Sequence, residues 1–175
     1  MRDASEGRPP PTFHFLFEGT TMDLSDLLTA GAIMPRVKAT TKKQALVDLA
    51  AQAAQLTGRG ANEILETLLQ REKLGSTGVG HGVAIPHGKL SGLGKLTGVF
   101  ARLERPIDFD ALDNEPVDLM FLLLAPDNAG ADHLKALARI ARVLRDSDTA
   151  GRLREAGDAA AIYALLIDPE KSNAA

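Results

Sequence analysis

Apolar residues recur along this chain at two spacings, one typical of helices and the other of strands. The helical spacing begins after Thr41, which stands at capping-box distance from Gln44, and the first helix is expected to end at Gly58. A second helix is predicted to begin near Asn62, and Arg71 falls in its last turn. A cation there complements the helix dipole, which is one interpretation of this arginine.

Three stretches are predicted to be strands. Ala32–Ala39 contains Pro35, which has no N–H donor, so this strand should lie at a sheet edge or carry a bulge. Leu96–Leu103 is the second, and Arg105–Pro106 with the acidic residues after it predicts a loop. Val117–Ala125 is almost continuously apolar, as expected of a central strand covered on both faces.

The last third of the chain is predicted to be helical. Its longest helix should follow Gly130, and two short helices should cover Thr149–Ala156 and Asp158–Ile167. The apolar stripe of the long helix is expected to consist of Leu134, Leu137, Ala138, Ile140, Ala141 and Leu144. Strands with long helices on either side predict an α/β (α+β) chain folded as a three-layer α/β/α sandwich around a mixed β-sheet.

Composition removes several classes of function. The 175 residues carry a formal charge of -3 with a pI near 5.8, so no basic excess is available for nucleic acid. There is no cysteine, which excludes disulfides and thiolate metal sites, and the longest apolar run, Leu119–Ala125, is far short of the roughly 20 residues of a membrane span. We therefore expect a cytoplasmic protein without membrane insertion.

The chain divides unevenly. Residues 1–21 carry a proline run and do not resemble the rest, so they are predicted to be a disordered extension. Residues 22–168 are predicted to form one domain, and residues 169–175 a C-terminal tail.

The segment Arg71–Lys89 holds the candidate chemistry. Four glycines precede a short apolar run, and Pro86, His87 and Gly88 follow it. Proline stiffens the backbone as it enters the histidine, and a glycine behind it can take a positive φ and leaves the imidazole uncrowded. An oriented and accessible histidine of this kind suits a nucleophile or a ligand.

Other glycine-loop chemistries fit less well. Gly75 and Gly80 have the spacing of a phosphate-binding loop, but His81 stands where the lysine should be and no serine or threonine follows. Gly78–Gly82 is not a dinucleotide fingerprint either, because an apolar run rather than a helix follows it. The candidate ligands for a zinc site are His81, His87 and His133. Their spacing matches no zinc motif, so no metal is expected. No serine-hydrolase nucleophile elbow is present.

His133 is predicted to approach His87. It shares a helical stripe with Leu137, Ile140 and Leu144, so it should point towards the C-terminal end of Val117–Ala125, where ligands bind in open α/β sheets. The alternative is a capping or partly buried histidine. Similarly, Arg71 could either complement its helix dipole or lean over the glycine loop towards His87.

A phosphoryl-carrying histidine combines these features. His87 would attack phosphorus through one ring nitrogen while a hydrogen bond on the other fixes the tautomer. Arg71 and His133 would be its charge partners. The residues predicted to bind the phosphoryl oxygens are Gly75, Ser76, Thr77 and Gly88.

The motif in Arg71–Lys89, Arg-Glu-x-x-Gly-Ser-Thr-Gly-Val-Gly-x-Gly-Val-Ala-Ile-Pro-His-Gly-Lys, resembles the signature of type-2 enzyme IIA domains of the bacterial phosphoenolpyruvate-dependent phosphotransferase system. The segment from Ala125 to Ala138 is similar to the family's second block, and the resemblance spans about 23–167. It implies phosphorylation of His87 on Nε2, support from Arg71 and His133, and no cofactor. His81 departs from the family's asparagine or small residue, and we expect it on the rim of the site.

The resemblance also implies partners. The donor would be a nitrogen-type HPr-like phosphocarrier, and the acceptors would be regulatory targets or a IIB domain. A stand-alone chain is most similar to the nitrogen-regulatory enzyme IIA, a phosphotransferase that acts largely as a regulator. The alternative is a fructose- or mannitol-specific component that relays phosphate to a IIB domain.

Overall fold

The computed structural model describes residues 22–169, which contain five α-helices and a six-stranded sheet. Two short 3-10 turns, Leu24–Asp26 and Ala30–Ala32, precede them. The helices are α1 (Lys42–Thr57), α2 (Ala61–Lys73), α3 (Ala131–Arg145), α4 (Ser147–Glu155) and α5 (Ala159–Ile167). The strands are β1 (Ile33–Val37), β2 (Gly78–Gly80), β3 (Val83–Ala84), β4 (His87–Leu90), β5 (Thr97–Ile107) and β6 (Val117–Pro126).

The ends of α1 follow from local chemistry. The Thr41 hydroxyl accepts a hydrogen bond from the Gln44 amide at 3.1 Å, which satisfies one of the free N–H groups at the helix start. Gly58 ends the helix in the left-handed conformation, with φ of 69°, and its amide donates to the Ala54 carbonyl. The predicted cap and stop of this helix are confirmed.

The sheet is mixed, with strand order β1-β5-β6-β3-β2, and β4 pairs with β6 beyond β3. β3 and β4 both run parallel to β6, whereas β5 runs antiparallel to it. Pro86, which has no amide to donate, lies between β3 and β4. The two short strands are thus one interrupted strand, and His87 is the first residue after the interruption.

β6 is the centre of the molecule, because both faces of its apolar run are covered. Met120, Leu122 and Leu124 belong to the core beneath α1 and α2, while Leu119, Phe121 and Leu123 belong to the core beneath α3, α4 and α5. Alternate residues of one strand therefore point into two separate cores. The predicted three-layer α/β/α sandwich with a covered central strand is confirmed.

Two prolines test the strand predictions. Pro35 lies in β1, which is an edge strand, and the register with β5 shifts between Met34 and Val37, as predicted. The loop predicted at Arg105–Pro106 is wrong, because β5 continues to Ile107. The register between β5 and β6 shifts after Arg102, so the proline is accommodated in an irregular part of the ladder.

The predicted buried stripe of α3 is also partly wrong. Leu134 is 70 % exposed and Ala138 is exposed, whereas Ala136 and Val143 are buried with Ile140. The face that meets the sheet is therefore rotated from the predicted stripe.

The predicted extension (1–21) lies outside the described residues, as do residues 170–175 of the predicted tail. Within residues 22–169, no helix is long and apolar enough to cross a membrane.

Candidate functional site

His87 stands at the C-terminal half of β6, where β4 begins. It pairs in register with Leu123, whose amide donates to the Pro86 carbonyl at 3.0 Å. The residues before it are buried, and the histidine itself is half-buried. Its backbone is fixed by the sheet, while part of its ring remains open to solvent.

The tautomer of His87 is set by its neighbours. Nδ1 lies 2.8 Å from the Ile85 carbonyl oxygen, which can only accept, so Nδ1 carries the proton. Nε2 is then unprotonated and accepts a hydrogen bond from Nε of Arg71 at 3.3 Å. A neutral imidazole with a lone pair on Nε2 is the form that can attack an electrophile.

Burial favours the same neutral form. The pKa of His87 lies below the ordinary histidine value, chiefly because burial disfavours the charged ring. The Ile85 carbonyl and Glu72 act in the opposite direction, and the charge of Arg71 adds to the lowering.

Arg71 reaches His87 across the glycine loop, as the second of the two sequence interpretations predicted. It lies in the last turn of α2, and Nη1 donates to the Gly75 carbonyl at 2.9 Å while Nε faces the imidazole. The guanidinium is thus oriented by the loop and the histidine together, and it places a positive charge beside Nε2.

His133 completes the group. It is the third residue of α3, and its ring centroid lies 5.7 Å from that of His87 in an edge-to-face arrangement. Its pKa is lowered, mainly by burial and further by the charges of His87 and Lys89. Within residues 22–169 its buried Nε2 has no hydrogen-bond partner. The predicted approach of the two histidines is confirmed, and His133 retains an unused ring nitrogen.

Sequence reasoning missed Glu72. Its side chain is 6 % exposed, accepts hydrogen bonds from the Thr77 amide and hydroxyl, and pairs with Lys42 at 2.8 Å. A carboxylate in the last turn of a helix opposes the helix dipole, which was the available signal that it serves a specific partner. It fixes the loop that carries the Arg71 contact.

The residues predicted to bind phosphate have other partners here. The Gly75 and Thr77 amides donate to Glu72 atoms, and the Ser76 hydroxyl donates to the Phe109 carbonyl at 2.7 Å. These donors build the loop, and their predicted contact with a phosphoryl group stays a prediction.

Glycine is required at position 88 for a reason other than the predicted positive φ, because the φ of Gly88 is not positive. A Cβ on Gly88 would stand 2.6 Å from Cγ2 of Thr67, so glycine is required for β4 to approach α2.

The sequence led us to expect His81 on the rim of the site, and this prediction is wrong. His81 is exposed in the turn before β3, with φ of 57°, and its amide donates to Asp113 at 3.0 Å. Val83, the first residue of β3, pairs with Leu119 of β6, whereas His87 pairs with Leu123, so these two residues are about 13 Å apart along β6. His81 precedes Val83 and lies at the same end of the strand, remote from His87. Among residues 22–169, no three His, Cys, Asp or Glu side chains are grouped as a metal site would need.

The chain is similar to known proteins over nearly all of its described length. The profile of the family described as "Phosphoenolpyruvate-dependent sugar phosphotransferase system, EIIA 2" matches residues 26–168. A nitrogen regulatory protein of Bradyrhizobium diazoefficiens is 62 % identical over 148 residues, covering 85 % of this chain and 97 % of that protein. The nitrogen regulatory protein of Escherichia coli K12 is 42 % identical over 152 residues, covering 86 % and 93 %.

A solved structure agrees with these relatives. The crystal structure of the nitrogen regulatory protein IIA-Ntr from Neisseria meningitidis superposes with a TM-score of 0.78 at 34 % identity, covering 82 % of this chain and 98 % of that one.

Proposed function

Because this chain belongs to the EIIA type 2 family of the phosphoenolpyruvate-dependent phosphotransferase system, we propose that it carries a phosphoryl group on Nε2 of His87. The observation that carries the proposal is the 2.8 Å contact between Nδ1 and the Ile85 carbonyl, because it leaves Nε2 as the only nucleophilic ring nitrogen. The donor is a histidine-phosphorylated, HPr-like carrier of the nitrogen-type system. A phosphoenolpyruvate-dependent donor of this kind places the reaction in the cytoplasm.

The transfer exchanges one N–P bond for another. The lone pair on Nε2 attacks phosphorus in line, the bond to the donor histidine breaks, and its electron pair returns to the donor ring. The His87 ring gains positive charge as the bond forms, and the Ile85 carbonyl, which accepts from Nδ1, stabilises that charge.

Arg71 and His133 surround the incoming group. Arg71 now donates to Nε2, so its guanidinium must turn from the lone pair to the phosphoryl oxygens as the transfer proceeds. His133 offers a buried ring nitrogen without a partner among the described residues, and its ring lies edge-to-face with that of His87. The protein thereby supplies positioning and charge, which phosphoryl transfer chiefly requires.

Regulation follows from the charge that His87 gains. A phosphoryl group adds between one and a half and two negative charges, by analogy with other phosphorylated side chains. Leu74, which follows α2 and is 84 % exposed, and Leu134, beside His133, give the site an apolar rim on which a partner can dock. A target that packs on this rim would sense the new charge directly, and the phosphotransferase acts mainly as a regulator of such targets.

The experiment is phosphorylation of the purified chain with phosphoenolpyruvate, enzyme I and a nitrogen-type HPr-like carrier, read by intact mass. We expect a gain of one phosphoryl group that is acid-labile and base-stable, with a phosphorus NMR signal characteristic of Nε2 substitution. His87→Ala should abolish it while the circular dichroism spectrum is retained, and His81→Ala, as the matched control, should be labelled normally. Full labelling of His87→Ala would refute the assignment.

The alternative is a sugar-specific component, because the family is described as part of a sugar phosphotransferase system. It requires transfer from the phosphorylated chain to a IIB domain. We expect no such transfer at a rate comparable to loading. A rapid loss of the label to a fructose or mannitol IIB domain would make transport, not regulation, the main function.

A further inference from the structure

A cavity of about 490 Å³ opens at the end of the sheet remote from His87. Four arginines (Arg36, Arg102, Arg105 and Arg154) line it together with two carboxylates and two apolar residues. Four positive charges against two negative ones leave a net charge of two in a chain whose total is -3. The concentration of positive charge in one concave surface is therefore a local property that the overall composition conceals.

Two of these guanidinium groups are fixed in place. Arg102 donates through Nε to the Pro35 carbonyl at 3.0 Å and through Nη1 to the Leu153 and Ala156 carbonyls at 2.8 and 2.6 Å. These bonds use neutral main-chain acceptors, so the charge of Arg102 is held but not neutralised, and Nη2 takes no part in them. A cation oriented before the ligand arrives loses little conformational freedom on binding.

Arg154 is fixed by a bidentate pair. Nε and Nη2 meet the two carboxylate oxygens of Asp118 at 2.8 and 2.9 Å, and Nη2 also donates to the His81 carbonyl at 3.1 Å. It therefore shapes the wall of the cavity and ties β6 to the turn before β3, while its charge is balanced by Asp118.

The other two arginines are uncommitted. Arg36 and Arg105 are exposed, and among residues 22–169 the side chain of neither makes a hydrogen bond or an ion pair. They are free to close over a ligand held by Arg102. A planar guanidinium group can bind two phosphate oxygens at once, so one guanidinium that is held in place and two without partners fit more than one phosphate group.

We propose that the cavity at Arg36, Arg102 and Arg105 binds a soluble small molecule that carries two or more phosphate groups. Its volume is within the range of ligand pockets, about 300–1,000 Å³, and is larger than a single inorganic ion requires. The lining has no aromatic side chain on which a base could stack, so the charge pattern rather than a base is what the site recognises.

The site is distinct from the phosphoryl site. Asp118 is the second residue of β6, and His87 pairs with Leu123 five residues later, which corresponds to about 17 Å along the strand. Binding at the cavity can therefore be observed separately from anything that binds beside His87.

Titration of the intact chain with tripolyphosphate tests the proposal, with inorganic phosphate at matched ionic strength as the comparison. The readout is the Nε–Hε resonances of the arginines and the backbone amides in two-dimensional NMR spectra. We expect saturable shifts at Arg36, Arg102 and Arg105 with tripolyphosphate, and affinity for inorganic phosphate at least about tenfold weaker. Shifts confined to the surroundings of His87, or shifts that never saturate, would overturn the proposal.

The matched variants separate a site from general attraction. Arg36→Ala with Arg105→Ala should weaken tripolyphosphate binding about tenfold or more, and both residues are exposed, so the protein should stay folded. Arg142→Ala, which removes an exposed arginine from α3, should leave the affinity unchanged. If Arg142→Ala weakened tripolyphosphate binding equally, the binding would reflect non-specific electrostatic attraction rather than a site. Sedimentation with vesicles of a phosphorylated lipid, without binding of the soluble probe, would assign the cavity to a headgroup instead and would also refute the proposal.

Discussion

Arginines lie near both ends of β6, and Arg71 at one end differs from Arg102 at the other in what it contacts. Near Leu123, Arg71 makes one bond to a carbonyl and one to a titratable nitrogen of His87. Near Asp118, Arg102 makes its bonds to main-chain carbonyls alone. Under the proposed function, an arginine supports chemistry at one end of β6, because its partner His87 would gain negative charge when it is phosphorylated. At the other end an arginine supports the fold, because its main-chain partners do not change.

The largest effect is expected from removing the first arginine. Arg71→Ala should slow phosphorylation of His87 about 100-fold, since an oriented cation beside the reacting group is lost. The free energy of unfolding should change little, because Arg71 is partly exposed and its other bond is to a loop carbonyl. Rapid-quench kinetics with the HPr-like donor measure the rate. Lys73→Ala, an exposed cation of the same helical turn, is the control and should keep the normal rate. A rate for Arg71→Ala within a factor of two of the unmodified chain would contradict its role.

Near Asp118, by contrast, we expect that removing the arginine changes the stability of the fold. Arg102→Gln should lower the free energy of unfolding by about 2 kcal/mol, because carbonyls of Pro35, Leu153 and Ala156 lose a charged donor. Urea denaturation measures the change, and Arg145→Gln, an exposed arginine of α3, should be near neutral. If Arg102→Gln were as stable as Arg145→Gln, the carbonyl contacts would not stabilise the fold and the comparison between the two arginines would fail.

Much of this arrangement could be predicted from the sequence, since local signals and tertiary structure agree. The period and cap of α1, the apolar run of β6 and the position of His133 on α3 each bring a residue to its observed place. The approach of Arg71 to His87 could be anticipated as one of two alternatives, because a helix end and a glycine loop leave few directions for its side chain.

Other features depend on neighbours that no local pattern describes. β2 and β4 have three and four residues and contain glycine, so neither shows an alternation of apolar positions. They become strands only because β3 and β6 are beside them. The place of His81 follows from the direction in which β3 runs, which separates it from His87 by the length of the strand between them. Residues of β1, β5, β6 and α4 line the arginine cavity, and the sequence of no single one of these segments predicts it.

The smallest effect concerns the proton on His87, and it tests whether Arg71 acts on the charge of the ring. Burial and, secondarily, Arg71 lower the pKa of His87. We expect its NMR titration midpoint below the unperturbed histidine value of about 6.5, and a partial rise in Arg71→Gln, since burial remains. The phosphorylation rate should be constant at higher pH and fall as the pH drops through the lowered pKa.

Stability should respond in the same pH window. Between about 6.5 and the lowered pKa of folded His87, the unfolded chain binds more protons than the folded one, so the His87 contribution to the free energy of unfolding is lost as the pH falls. His87→Ala should flatten this part of the pH dependence, measured by urea denaturation at several pH values. A midpoint above about 6.5 would contradict the lowered pKa of His87. A midpoint that stays unchanged in Arg71→Gln would show that the guanidinium orients the ring without acting on its charge. Arg71 and Arg102 would then differ only in which groups they contact, and not in an effect on the charge of a partner.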